Sequence, residues 1–131
     1  MRIGIQLGLH GHAGRHLQAA PRWADVHLQV ETAERAGFDI VTIDDALVDG
    51  GLETHGYWEA MSLAGAVAAT STTIEVGHSV VSSALRRPAL IASAAATLDE
   101  ISGGRYVLGL GAGNVPLDDE AFGIPLSLIH I

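Results

Sequence analysis

Three groups of residues in this chain have the types and spacing that could do chemistry. The run Gly109-Leu110-Gly111-Ala112-Gly113-Asn114 ends a short apolar stretch. Glycines there strip one face of its side chains, so a flat ring or a phosphate could approach the backbone; the same glycines would also serve a tight turn. His10-Gly11-His12 follows an isoleucine-containing stretch. Two imidazoles one residue apart at the end of a strand are how a metal-dependent hydrolase begins its site, and equally they could contact a bound substrate or sit in a solvated loop. The third group is Asp45 with Ser79, Val80 and Ser82, which close two β-branched runs. An acid at such a point serves as a ligand, a catalytic group or a helix cap. His27, His55 and His78 read as surface or helix-packing residues.

These groups need elements to hold them. Arg2 to Gly8 alternates and reads as a first strand. Trp23, Val26, Val30, Ala33 and Ala36 recur at helical spacing and Gly37 closes that helix. Asp39 to Asp44 is a second strand; Trp58, Met61, Ala64, Gly65 and Ala68 define a second helix; Thr73 to Val81 is a third strand. Pro88 then opens a third helix whose stripe Ile91, Ala94, Leu98 and Ile101 ends at Gly103, and a fourth strand starts at Arg105. Tyr106, Leu108 and Leu110 form the bulky face of this last strand, while Val107, Gly109 and Gly111 form the open one. Strands alternate with helices roughly thirty to thirty-five residues apart, which implies parallel strands joined by crossover helices. Four such units fit an open doubly wound sheet or half of an eightfold barrel. A dinucleotide fingerprint would open a helix at once, whereas here Asn114 takes the third glycine's place and loop-forming Pro116, Asp118 and Asp119 follow.

Composition narrows the function classes. The chain has 131 residues, 48% of them hydrophobic and 17% charged, and so can bury a core. Its seven cationic residues are all arginines, against fifteen acids, and the net charge of −8 argues against a nucleic-acid surface. The absence of cysteine excludes disulfides and thiolate metal sites and fits a reducing, cytoplasmic setting. The longest apolar helix, around residues 89 to 98, is about half of the ~20 residues a membrane span requires.

The motifs Ala33-Glu34-Arg35-Ala36-Gly37-Phe38-Asp39, Arg87-Pro88-Ala89-Leu90, Ala96-Thr97-Leu98-Asp99 before Ser102-Gly103-Gly104-Arg105, Val107 through Gly113, and Ala121-Phe122-Gly123-Ile124-Pro125 together resemble the luciferase-like flavin-dependent oxidoreductases. The match runs from the first strand to Pro125. The resemblance implies a (β/α)8 barrel that binds reduced FMN, or in some branches the deazaflavin coenzyme F420, at the carboxyl ends of its strands. It implies that Asp45 lies near the flavin, that a non-proline cis peptide between Ser79 and Val80 meets the ring face together with Ser82, and that Gly113 and Asn114 contact the ring edge or ribityl chain. His10 and His12 would face substrate or the flavin edge. Some relatives carry a histidine after the acid at the second strand; this chain has Ala46, which argues against a histidine base there. The resemblance further implies a small-molecule substrate, a separate flavin reductase and a homodimer.

The expected architecture is therefore the N-terminal half of a barrel: four parallel strands with three crossover helices over residues 1 to 125. A full barrel takes ~250 residues. Leu126 to Ile131 resembles a translated sequencing adaptor, and this segment is expected to be non-native. Half a barrel leaves strand edges and an apolar layer uncovered, so the isolated piece is expected to be inactive. The alternative reading, a metal-dependent barrel hydrolase, rests on His10 and His12.

Overall fold

The computed structural model describes residues 1–9, 21–46, 58–112 and 123. His10, His12, Gly113, Asn114 and the 126–131 tail lie outside the described residues. The elements run β1 (Gly4–Gln6), α1 (Trp23–Arg35), β2 (Ile40–Ile43), α2 (Ala60–Thr70), β3 (Glu75–His78), β4 (Val81–Ser82), α3 (Pro88–Ser102), β5 (Tyr106–Val107) and β6 (Leu110–Gly111). A four-stranded sheet has the order β1-β2-β3-β5 and is parallel throughout; β4 and β6 form a second, parallel pair. The β-α alternation thus yields the expected parallel wall.

Local chemistry sets the helix ends. In α1, Val26, Val30 and Ala33 fall on one stripe and are buried. Pro88 occupies the first turn of α3, where its missing N–H costs no hydrogen bond, and Gly103 ends that helix in the left-handed conformation at φ 66°. The stripe of α3 departs from expectation at its last turn. Burial steps from Ile91 to Leu98 to Ser102, while Ile101 is 48% exposed. Both +3 and +4 steps keep a residue near one face, and here the helix presents the +4 position to the sheet.

The third and fourth strands are each interrupted, where unbroken strands were expected. The third breaks between β3 and β4 at Ser79 and Val80, whose peptide bond is cis, at the position the family resemblance indicated. The fourth breaks between β5 and β6 at Leu108 and Gly109, and the two broken strands resume as a pair with Val81 opposite Leu110 and Ser82 opposite Gly111.

One face of the sheet carries the core. Val41 and Ile43 of β2 and Val76 of β3 are fully buried in a cluster with Val26 and Val30 of α1, Leu63 and Val67 of α2, and Leu98 of α3. Burying each of these aliphatic side chains stabilises the fold by about 1.5–3 kcal/mol. On the other face Gln6, Thr42, Gly77 and Val107 stand in register as one row. Among the described residues no helix packs there, so the sheet is helix-backed on one side. No helix among the described residues is long and apolar enough to cross a membrane.

Two side chains tie the amino ends of the strands to the helices. The Arg105 guanidinium donates to the backbone carbonyls of Ala68, Ser71 and Ile74 and to Ser71 Oγ, at 2.6–3.2 Å, and so caps the carboxyl end of α2 against the start of β3. Glu34 of α1 accepts from the backbone N–H groups of Thr72, Thr73 and Ile74 and from both threonine hydroxyls. Burial alone would raise the Glu34 carboxyl, but the hydrogen bonds from Thr73, Ile74 and Thr72 outweigh it and hold the group down at about 2. A folded-state value below the unfolded one means that the stabilisation is complete above the unfolded carboxylate range and is lost as pH falls from about 4.5 toward 2. Glu34→Gln is expected to flatten that part of the acid-unfolding profile, as followed by circular dichroism across pH 2 to 5.

Candidate functional site

The strand carboxyl ends hold a connected set of polar groups. Asp45 stands two residues past β2 with its side chain fully buried, and its two oxygens receive both terminal nitrogens of Arg86. Asp45 Oδ2 also accepts the backbone N–H of Ser82 at 2.9 Å. The carboxylate therefore links the end of β2 to β4 and to the segment leading into α3. Arg86 Nη2 also meets Glu59, which caps α2 by accepting from the N–H groups of Met61 and Ser62. Burial would raise the Glu59 carboxyl, yet the hydrogen bonds from Ser62 and Arg86 lower it to about 2, so it is an anion at neutral pH. Arg86 sits between two carboxylates with its own proton affinity raised.

His78 extends the set. Its Nε2 lies 3.2 Å from the carbonyl of Ala60 and its Nδ1 lies 2.9 Å from the Tyr106 hydroxyl. A carbonyl can only accept, so Nε2 carries the proton and Nδ1 accepts from tyrosine. Burial lowers the His78 pKa, so the ring is neutral, and burial pushes the Tyr106 hydroxyl up to about 12. The ring is only 4% exposed and packs edge-on to Tyr106. Of the two readings of His78, surface or helix-packing, the second holds: as the last residue of β3 it is buried against the first turn of α2. His27 is partly exposed on α1, beside Trp23 and Glu31, as expected.

Ser79 and Val80 stand out against this background. Both are exposed, Val80 at 43%, between the buried His78 and the buried Val81 and Ser82. The structure thus brings Asp45, Ser82, Ser79 and Val80 together at one end of the sheet. The glycine face of the fourth strand, in contrast, is not open to a ring. A Cβ on Gly109 would collide with the carbonyl oxygen of His78, and one on Gly111 with Cγ2 of Val80, so these glycines make room for the chain's own third strand. The contacts that Arg86, Glu59, Tyr106 and Arg105 make were not legible in the sequence. A weak signal for Arg86 was available: the pair Arg86-Arg87 stands directly before Pro88, at a helix amino end where the dipole disfavours cations. Among the described residues, no group of three or more His, Asp or Glu side chains is placed to hold a metal ion.

A parallel sheet backed by its crossover helices, with polar groups gathered at the strand carboxyl ends, is the wall of a (β/α) barrel. The chain belongs to the luciferase-like monooxygenase family, whose model matches residues 1–128. A putative coenzyme F420-dependent oxidoreductase of Mycobacterium tuberculosis is 34% identical over 111 residues, covering 85% of this chain and 27% of that protein. The coenzyme F420-dependent tetrahydromethanopterin reductase of Methanopyrus kandleri superposes with a TM-score of 0.71 at 25% identity, over 95% of this chain and 30% of the reductase. The oxygenating constituent of 3,6-diketocamphane monooxygenase from Pseudomonas putida, solved in complex with FMN, shares the fold at a TM-score of 0.72 and 21% identity, over 96% of this chain and 33% of that one. The chain thus spans about a third or less of the length of these proteins. The hydrolase alternative gains nothing from these matches.

Proposed function

We propose that the protein carrying this chain is a flavin-dependent oxidoreductase of the monooxygenase type, with the exposed Ser79–Val80 segment as the rest for the tricyclic ring of FMN. The observation that supports this most directly is the exposed apolar Val80 at a strand carboxyl end, flanked by buried residues and held from behind by Asp45 through Ser82 N–H. An apolar side chain beside exposed backbone fits a flat, amphipathic ring: apolar contact on its face, polar contact at its edge. Gly113 and Asn114 come shortly after β6 in sequence and in this reading meet the ring edge or ribityl chain; His10 and His12 come after β1 and face the substrate or the flavin edge. Asp45 contributes through its hold on Ser82, since Arg86 and that N–H occupy its oxygens. Reduced flavin, when bound, supplies the electrons for oxygen activation or hydride transfer. The chain's own part is to seat the ring, orient it against the strand ends and keep water from its buried side. A small organic molecule is the substrate class, a separate reductase supplies the reduced cofactor, and the protein acts as a homodimer.

The deazaflavin coenzyme F420 is the second reading, favoured by the names of relatives such as the Mycobacterium tuberculosis protein. Titrating the protein with FMN and with F420, each followed by its fluorescence, separates the two. Val80→Asp, which sets a carboxylate under the ring, is expected to weaken the preferred cofactor at least ~10-fold, equivalent to about 1.4 kcal/mol. Failure of the parent protein to bind either cofactor would remove the proposal.

A further inference from the structure

We propose that Arg86 is the positioning residue of the cofactor rest: a single guanidinium sets where the Ser79–Ser82 segment stands. This rests on the flavin reading above. The segment has limited strand support, because β4 is two residues long and, among the described residues, pairs with the equally short β6 alone. Val81 N–H bonds Gly109 and Ser83 N–H bonds Gly111 on one side, while on the β2 side Ser79 N–H bonds the Ile43 carbonyl at the start of the segment. Past the cis peptide, on that same β2 side, Asp45 Oδ2 takes the Ser82 N–H. Asp45 can hold that position only while its own charge is satisfied, and Arg86, 10% exposed, satisfies it through both terminal nitrogens.

The second arm gives the guanidinium a fixed origin. Nη2 also binds Glu59, so Arg86 spans from the end of β2 to the amino end of α2, across 41 and 27 residues of sequence. Glu59 is itself anchored by capping Met61 and Ser62. A planar fork can face two carboxylates at once, whereas an ammonium group is a point charge that cannot reproduce the geometry. The rest is therefore located by a carboxylate-guanidinium-carboxylate bridge whose members touch no ring atom in this reading.

The test is FMN and F420 binding by the protein and its Arg86→Lys and Glu59→Gln variants, read as Kd and as the visible spectrum of the bound cofactor, with thermal unfolding measured alongside. Arg86→Lys keeps the charge but loses the fork. The expected result is a Kd raised about 10-fold and a bound-cofactor spectrum shifted toward that of the free cofactor. Glu59→Gln still caps α2 and removes one arm, and is expected to weaken binding by a smaller factor with little change in melting temperature. If Arg86→Lys does not fold, Glu59→Gln decides. A folded variant, Arg86→Lys where it folds and otherwise Glu59→Gln, with the parent's Kd and spectrum would overturn the inference while leaving the flavin reading intact. A parent that binds neither cofactor overturns the flavin reading and this inference with it.

Discussion

Replacing Asp45 by alanine is expected to lower the unfolding free energy by about 3–5 kcal/mol, the cost of leaving one member of a buried ion pair without its partner. The side chain is fully buried, and its removal strands two groups. Arg86 would keep only Glu59, which is partly exposed, and the Ser82 N–H would lose its acceptor. Both consequences fall on a region of short strands, β4 and β6. Asparagine should cost less than alanine, because it fills the same volume and still offers an oxygen to Ser82. The double variant Asp45→Ala with Arg86→Met should cost less than the sum of the two single changes, since removing both charges leaves none uncompensated. Urea unfolding of the four proteins gives the cycle. A loss below about 1 kcal/mol for Asp45→Ala would mean that the bridge adds little to stability.

The second large effect belongs to Gly109. Its missing side chain lets the fourth strand pass directly against the carbonyl of His78, and a Cβ there would lie well inside van der Waals contact with a backbone oxygen. Backbone atoms cannot rotate away as a flexible side chain can. Overpacking a core ordinarily costs about 1–3 kcal/mol, and Gly109→Ala is expected at or above the top of that range. The same change should loosen the β4-β6 pair, because Val81 N–H bonds the Gly109 carbonyl. Hydrogen exchange at Val81 and Ser83 reads this directly: both amides should exchange faster in the variant while those of β2 keep their protection. A variant of parental stability would show that the two strands are less closely packed than the geometry indicates.

These two predictions mark where sequence reading reaches its limit. The helices were legible because their determinants are local: Val26, Val30 and Ala33 recur along one stripe, and Gly103 can adopt φ 66° without strain. The parallel sheet followed from the alternation of elements, since successive crossovers leave strands pointing the same way. The cis peptide between Ser79 and Val80 was indicated by the family resemblance, whereas the break in the strand there was not expected. Within the site, Asp45, Ser79, Val80 and Ser82 were legible as residues that end strands, because the β-branched runs before them mark those ends. What each of them touches was not.

From the sequence alone came the class of fold, the order and approximate bounds of its elements, and the end of the sheet that carries polar residues, all of which depend on neighbours a few positions away. Tertiary structure decided that Asp45 pairs with Arg86, that Gly109 yields space to His78, that His78 is buried against Ala60 and Tyr106, and that Arg105 closes the far end of α2. Each of those contacts joins residues 18 to 41 positions apart, where the approach of one strand or helix to another sets the geometry and no local pattern encodes it.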